Sequence, residues 1–217
     1  GGAAQARFLS RCAREAEAGA DAAAEQVRAL QKRLFTRGRL IVDVAGDPEL
    51  VRDLRAPIDE LIAALPEGRA GAPAAAMPSI PSSAGVAIAA RVNYVAQALT
   101  VPGYLSPAAP ALDVLSGILA SDYLYTKLRV QGGAYGGFAV YKPDEALFGF
   151  VSYRDPHLTE TLDVYRATGD FVRSGAITAD LLERSKIGAG GGFDQVLGPG
   201  QQGLVALRRE LLGLNDD

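Results

Sequence analysis

Two runs rich in aromatic and branched residues, YGGFAVY at 135–141 and ALFGFVSY at 146–153, are separated only by Lys142-Pro143-Asp144-Glu145. A connection that short makes the two strands antiparallel, because a parallel pair needs a crossover of a dozen residues or more. The run NYVAQALTV supplies a further extended segment, and AGVAIAARV before it reads the same way. Between these and the hairpin, residues 107–129 read as one long helix, with Leu112, Leu115, Leu119 and Leu128 on its apolar face.

Upstream, residues 3–36 are alanine-rich and read as one or two helices, with Val27, Leu30 and Leu34 on one face. RLIVDVAG at 39–46 reads as a buried strand. Asp47-Pro48 opens a helix carrying Leu50, Leu54, Ile58, Leu61 and Leu65, which Pro57 is expected to kink or divide. PEGRAGAPAAAMPSIPSS at 66–83 has the composition of an unpacked linker. After the hairpin, Asp155 caps a helix with a stripe of Leu158, Leu162, Tyr165 and Val172. Residues 178–189 are helical, GAGGG at 188–192 breaks the pattern, and LVALRRELLG closes as a helix. This order lacks the strict βαβ alternation of a doubly wound sheet. It predicts an α+β fold, a mainly antiparallel sheet with helices packed on one face. A helical lead-in over 1–36 would precede one α/β domain over 37–217, with the linker at 66–83 inside it.

Composition excludes several function classes. A formal net charge of −3 gives no footprint for nucleic acid. No apolar stretch is long enough to insert into a membrane. Cys12 and His157 are the only cysteine and histidine, too few and too far apart for a zinc site. Cys12 reads as a small apolar contact and His157 as a surface residue. The start, GGAAQARFLSR, has neither an initiator Met nor a signal-peptide apolar stretch, as expected of a fragment or processed product.

The stretch LRVQGGAYGGF at 128–138 carries the chemistry worth weighing. Read locally, Gly132 is a left-handed helix terminator, Arg129 complements the helix dipole, and Tyr135 packs at a strand start. Read functionally, Gly132, Gly133 and Gly136 let a second backbone approach. Arg129 and Tyr135 then offer a forked guanidinium and a phenol to one substrate carbonyl. Converging donors of this kind stabilise an oxyanion. Arg154-Asp155-Pro156 reads as structural, with Asp155 capping the helix and Arg154 paired to a carboxylate or carbonyl. Asn93 and Tyr94 read as ordinary strand packing or as part of a binding wall.

RVQGGAYGGF, together with FVSYRDPHLTETLDVYRATGDFV at 150–172, resembles the C-terminal portion of the presequence protease family. That family belongs to the pitrilysin or insulinase group of inverted zinc metallopeptidases. VNYVAQA at 92–98, LPEG at 65–68 and LRRELLGLNDD at the end fall where the family has similar words. Tyr125 stands where the family usually has Trp, and the hairpin tip K-P-D-E-A has lost the family's usual Gly. The resemblance implies a chamber of two hinged halves, with zinc bound by H-x-x-E-H and a distal Glu in another domain and none in this chain. It implies that Arg129 and Tyr135 reach across the chamber to the substrate carbonyl. The implied partners are a peptide substrate and the N-terminal catalytic half of the same protein. The implied location is the mitochondrial matrix, the chloroplast stroma or a bacterial cytoplasm. Two functions follow. One is part of a zinc metalloendopeptidase that degrades short unstructured peptides such as cleaved presequences, with this chain inactive alone. The other is a non-catalytic structural subunit of the same fold in an organellar complex.

Overall fold

The computed structural model describes residues 2–68, 82–191 and 196–214. The chain divides into two compact units, Gly1–Ile88 with Pro199–Leu204, and Ala89–Gly198 with Val205–Asp217.

The first unit is helical. Helices α1 (Gly2–Ala18) and α2 (Ala20–Leu34) are separated at Gly19, and α3 spans Pro48–Ala64. Asp47 precedes α3 with Pro48 in its first turn, but the Asp47 side chain makes no capping bond. The helix runs unbroken through Pro57. A proline removes one hydrogen bond and crowds the preceding turn; seventeen residues of helix absorb that local loss. The buried strand expected at 39–46 does not form. Arg37–Arg39 make a 3-10 turn, residues 40–45 are irregular, and Ile41 and Val42 are exposed. A branched run becomes a strand only when another strand completes its hydrogen bonds, and among the described residues none pairs with it. Arg37 instead braces α3: its Nε donates to Leu65 O at 2.8 Å and its Nη2 to Ala63 O at 2.6 Å. Those carbonyls lie at the helix C-terminus, where a cation is favoured. Arg37 N and Gly38 N donate to Pro66 O and Gly68 O, so the first residues of the expected linker are tied down. Residues 69–81 of that segment lie outside the described residues.

The second unit holds the core. Strands β1 (Asn93–Thr100), β2 (Gly136–Lys142) and β3 (Leu147–Asp155) form an antiparallel sheet in the order β1-β3-β2. The fold is thus α+β. AGVAIAARV stays irregular, so one strand stands where the sequence suggested two. The hairpin tip turns through Lys142–Glu145, with Ala146 at φ 50°. The long helix forms as α4 (Ala109–Ile118), which continues as a wider π-type helix over Leu119–Gln131. Its buried residues Leu119, Tyr123, Leu124 and Leu128 face the sheet. Helices α5 (Thr159–Arg166) and α6 (Thr168–Arg173) follow, then α7 (Ala179–Gly190) and α8 (Pro199–Leu212). Thr178 caps α7 by accepting from Leu181 N at 3.2 Å.

One sheet face is buried and the other is open. Val95, Ala139, Phe148 and Phe150 pack with the helices, and the Phe150 ring stacks on Tyr165 at 5.3 Å. Tyr94, Phe138, Val140, Val151 and Tyr153 are exposed on the opposite side. The stripe expected after Asp155 is only half buried: Tyr165 and Leu162 join the core, whereas Leu158 and Val172 are exposed. The break between α5 and α6 at Ala167 rotates the later residues off the stripe.

Candidate functional site

The glycines of the opening motif have separable jobs. The last helical turn closes with Gly132 N and Gly133 N donating to Arg129 O, and Ala134 N donating to Leu128 O at 2.9 Å. The left-handed residue is Gly133, at φ 74°, and not Gly132, whose φ is −89°. The widened helix needs one more residue before the chain reverses. Gly132 is required for space: a Cβ there would lie 2.8 Å from Leu128 O. A Cβ on Gly136 would lie 2.8 Å from the Phe138 ring, and one on Gly137 would lie 2.6 Å from Leu128 Cδ1. The strand thus sits directly against the helix that precedes it.

That closeness sets the side chains. Arg129 leaves the last helical turn and Tyr135 stands one residue before β2. The Arg129 guanidinium lies 5.9 Å from the Tyr135 ring centroid and 5.6 Å from that of Tyr125. The Tyr135 backbone N–H donates to Tyr153 O at 3.1 Å, which fixes the residue while leaving its side chain 63% exposed. The Tyr153 ring meets Tyr135 edge-on at 5.7 Å and Tyr94 at 5.3 Å. Two tyrosines thus flank the arginine, and Tyr153 and Tyr94 extend the ring cluster from Tyr135 across the end of the sheet. The rings hold the guanidinium by cation–π attraction and leave its donors free for a ligand.

Sequence reasoning brought Arg129 and Tyr135 together correctly in space but gave no role to Tyr125 or Tyr153. Tyr125 precedes Arg129 by four positions on the helix, the spacing at which side chains meet. Tyr153 was hidden because its place depends on pairing with Gly136. Asn93 donates from Nδ2 to Asp155 O at 3.1 Å and is a strand-end fastener, whereas Tyr94 belongs to the ring cluster.

Beneath the cluster, Asp155 is 1% exposed. Its carboxylate accepts from His157 N at 2.9 Å and from Thr161 Oγ1 at 2.7 Å. The helix cap expected of it does not form: α5 begins at Thr159 after Leu158 with no side-chain capping bond, and Asp155 instead fastens the turn that leads into the helix. The Tyr165 hydroxyl donates to Val95 O at 3.2 Å. Burial pushes the Tyr165 phenol up to about 12; the Ser152 side chain works against this and the Asp155 carboxylate adds to it. Ser152 Oγ neighbours that phenol without completing a hydrogen bond of good geometry. His157 is exposed and Cys12 half-buried. Arg154 departs from expectation: among the described residues it makes no hydrogen bond or ion pair. The carboxylate beside it is already engaged by Thr161 and the His157 amide.

Among the described residues no three His, Cys, Asp or Glu side chains cluster as metal ligands. No described helix is long and apolar enough to cross a membrane. A concavity of about 760 Å³ lies at the other end of β2 between Tyr104, Pro110, Asp113, Tyr141 and Arg208. Arg129 and Tyr135 stand outside it on an open surface, an arrangement suited to completing a site with another surface.

Comparison with known proteins agrees with the resemblance carried by the motifs. Presequence protease 1, chloroplastic/mitochondrial, of Arabidopsis thaliana is 29% identical over 222 aligned residues, covering all of this chain and 20% of that protein. The mitochondrial presequence protease of Eremothecium gossypii is 34% identical over 122 residues, or 56% of this chain and 12% of that protein. That of Aspergillus fumigatus is 28% identical over 209 residues, or 93% of this chain and 20% of that protein. The chain therefore spans about a fifth of the length of the longest-matched relatives. The family model of the PreP C-terminal domain matches residues 84–217, and the chain belongs to that family.

Proposed function

We propose that this chain is the C-terminal domain of a zinc metalloendopeptidase that degrades short unstructured peptides, such as cleaved presequences, in mitochondria or chloroplasts. The observation that carries the reading is the exposed Arg129 guanidinium held between the Tyr125 and Tyr135 rings. Full-length relatives bearing presequence protease names support the substrate class and the compartment. On this reading the zinc is held by another domain of the full protein; among the described residues no group of three His, Cys, Asp or Glu side chains could hold it.

What this chain contributes is positioning and charge stabilisation. A peptide lying along the open face at the start of β2 would present a carbonyl oxygen between the two side chains. Arg129 donates from its guanidinium and Tyr135 from its phenol. As the carbonyl carbon becomes tetrahedral, its oxygen gains charge and both bonds strengthen. Gly132, Gly133 and Gly136 keep the backbone low beside that path. The N-terminal half of the protein would close the opposite wall.

The test is steady-state kinetics on the full-length protein. Arg129→Ala and Tyr135→Phe should each lower kcat on the order of a hundredfold, with a smaller change in KM. Circular dichroism should show both variants folded, because both side chains are exposed. Unchanged kcat in folded Tyr135→Phe would reduce the tyrosine to a packing residue. Retention of the fold with no peptidase activity in the unaltered full-length protein would favour the structural-subunit role.

A further inference from the structure

Tyr153 and Arg154 together oppose the single residue Tyr94, because Asn93 pairs with Asp155 while Val95 pairs with Ser152. The extra residue is a bulge, and it shifts the strand's facing by one position. Phe148, Phe150 and Ser152 point inward; after the bulge Asp155 points inward and Arg154 is exposed. Arg154 carries the mismatch with φ 50°, a conformation that strains residues with a side chain.

Both flanks of Arg154 are pinned. On one side the Tyr153 carbonyl accepts from Tyr135 N. On the other, Asp155 is fastened by His157, Thr161 and Asn93. Pro156 lies under the turn, 3.8 Å from where a Gly133 Cβ would be. Tyr153 and Pro156 thus set Arg154 beside the loop that delivers Tyr135. The fold requires a left-handed residue here, and glycine would satisfy it without strain. Nothing in the fold requires a guanidinium, since this one touches no carboxylate or carbonyl among the described residues. Strain kept at a conspicuous surface position beside a binding cluster marks a functional side chain.

We infer that Arg154 is a specificity-determining contact that binds a carboxylate of the peptide lying across the tyrosine cluster. The inference rests on the peptidase reading above. A planar, permanently charged fork pairs two-to-two with a carboxylate, and the tyrosine rings offer no competing charge. The carboxylate comes either from an acidic side chain or from the peptide's C-terminus.

Three versions of one peptide separate these sources in the full-length protein: the parent with one internal Glu and a free C-terminus, a Glu-to-Gln version, and a C-terminally amidated version. Arg154→Gly, which suits the backbone, should lower kcat/KM for the parent about fivefold to tenfold. The loss should vanish for the version lacking the recognised carboxylate, which identifies the source. Arg154→Lys should recover part of the parent's rate, since the charge returns without the fork. Equal cleavage of all three by Arg154→Gly and the unaltered protein overturns the inference, as does an equal loss on all three. Failure of the unaltered protein to cut any of them overturns the peptidase reading first and this inference with it.

Discussion

The two units carry apolar side chains in similar abundance and use them differently. In the sheet-bearing unit Leu119, Leu124 and Leu128 are essentially sealed, and the Phe148, Phe150 and Tyr165 rings fill the space beside them. In the helical unit Val27, Leu30, Leu34, Leu50 and Leu61 fall at helical spacing yet are all exposed, and neither α2 nor α3 has a buried residue. Periodicity alone therefore does not make a core. The sheet gives the neighbouring helix a flat apolar floor; the α1–α3 helices lack one within their own unit.

This contrast breaks most sharply under truncation of matched leucines. Leu124→Ala should destabilise the protein by about 3 kcal/mol, read as a lowered urea midpoint, because it leaves a cavity at a residue with 0% exposure. Leu30→Ala should change that midpoint by less than about 0.5 kcal/mol. A Leu30 effect as large as that of Leu124 would show that the α2 face is covered in solution.

Alkali should act on the sheet-bearing unit through its buried Tyr165 phenol. The Tyr165 phenol has a folded value of about 12 against roughly 10 when unfolded. Its contribution is full below about pH 10 and is lost as pH climbs towards 12, because the unfolded chain ionises first. The loss is on the order of 2 kcal/mol across that window. Tyr165→Phe should flatten the pH dependence of the unfolding midpoint between about pH 9 and 12. A profile as steep in Tyr165→Phe as in the parent would assign the alkaline loss to another group.

The smallest effect belongs to the hairpin tip. Ala146 sits at φ 50°, where glycine is at ease, so Ala146→Gly should stabilise the sheet-bearing unit by about 0.5–1 kcal/mol. Thermal unfolding of the two forms would register it, and a lowered midpoint would mean that unfolded-chain entropy outweighs the relief of strain.

These elements also show what sequence discloses. The hairpin and the helix ending near Gly132-Gly133 were legible because each is settled within a few neighbouring residues. RLIVDVAG and AGVAIAARV misled because their composition is local while strand formation needs a partner from elsewhere. The bulge at Tyr153–Arg154 was invisible for the same reason: it is a mismatch between strands some sixty positions apart. At the candidate site, Arg129 and Tyr135 were found through their motif. Tyr153 became a neighbour only through its pairing with Gly136.

The strand order has a consequence for how the chain is made. β3 lies between β1 and β2 yet is the last of the three to be synthesised. β1 leaves the ribosome roughly fifty positions before the strand it must join. At about 5–20 residues per second, that is an interval of several seconds in which its amides have no sheet to enter. Asn93, Gln97 and Thr100 interrupt the apolar run NYVAQALT over that interval. Polar interruptions make a waiting strand a poor template for another copy of itself. The hairpin, arriving complete with its own turn, then closes the sheet in one addition.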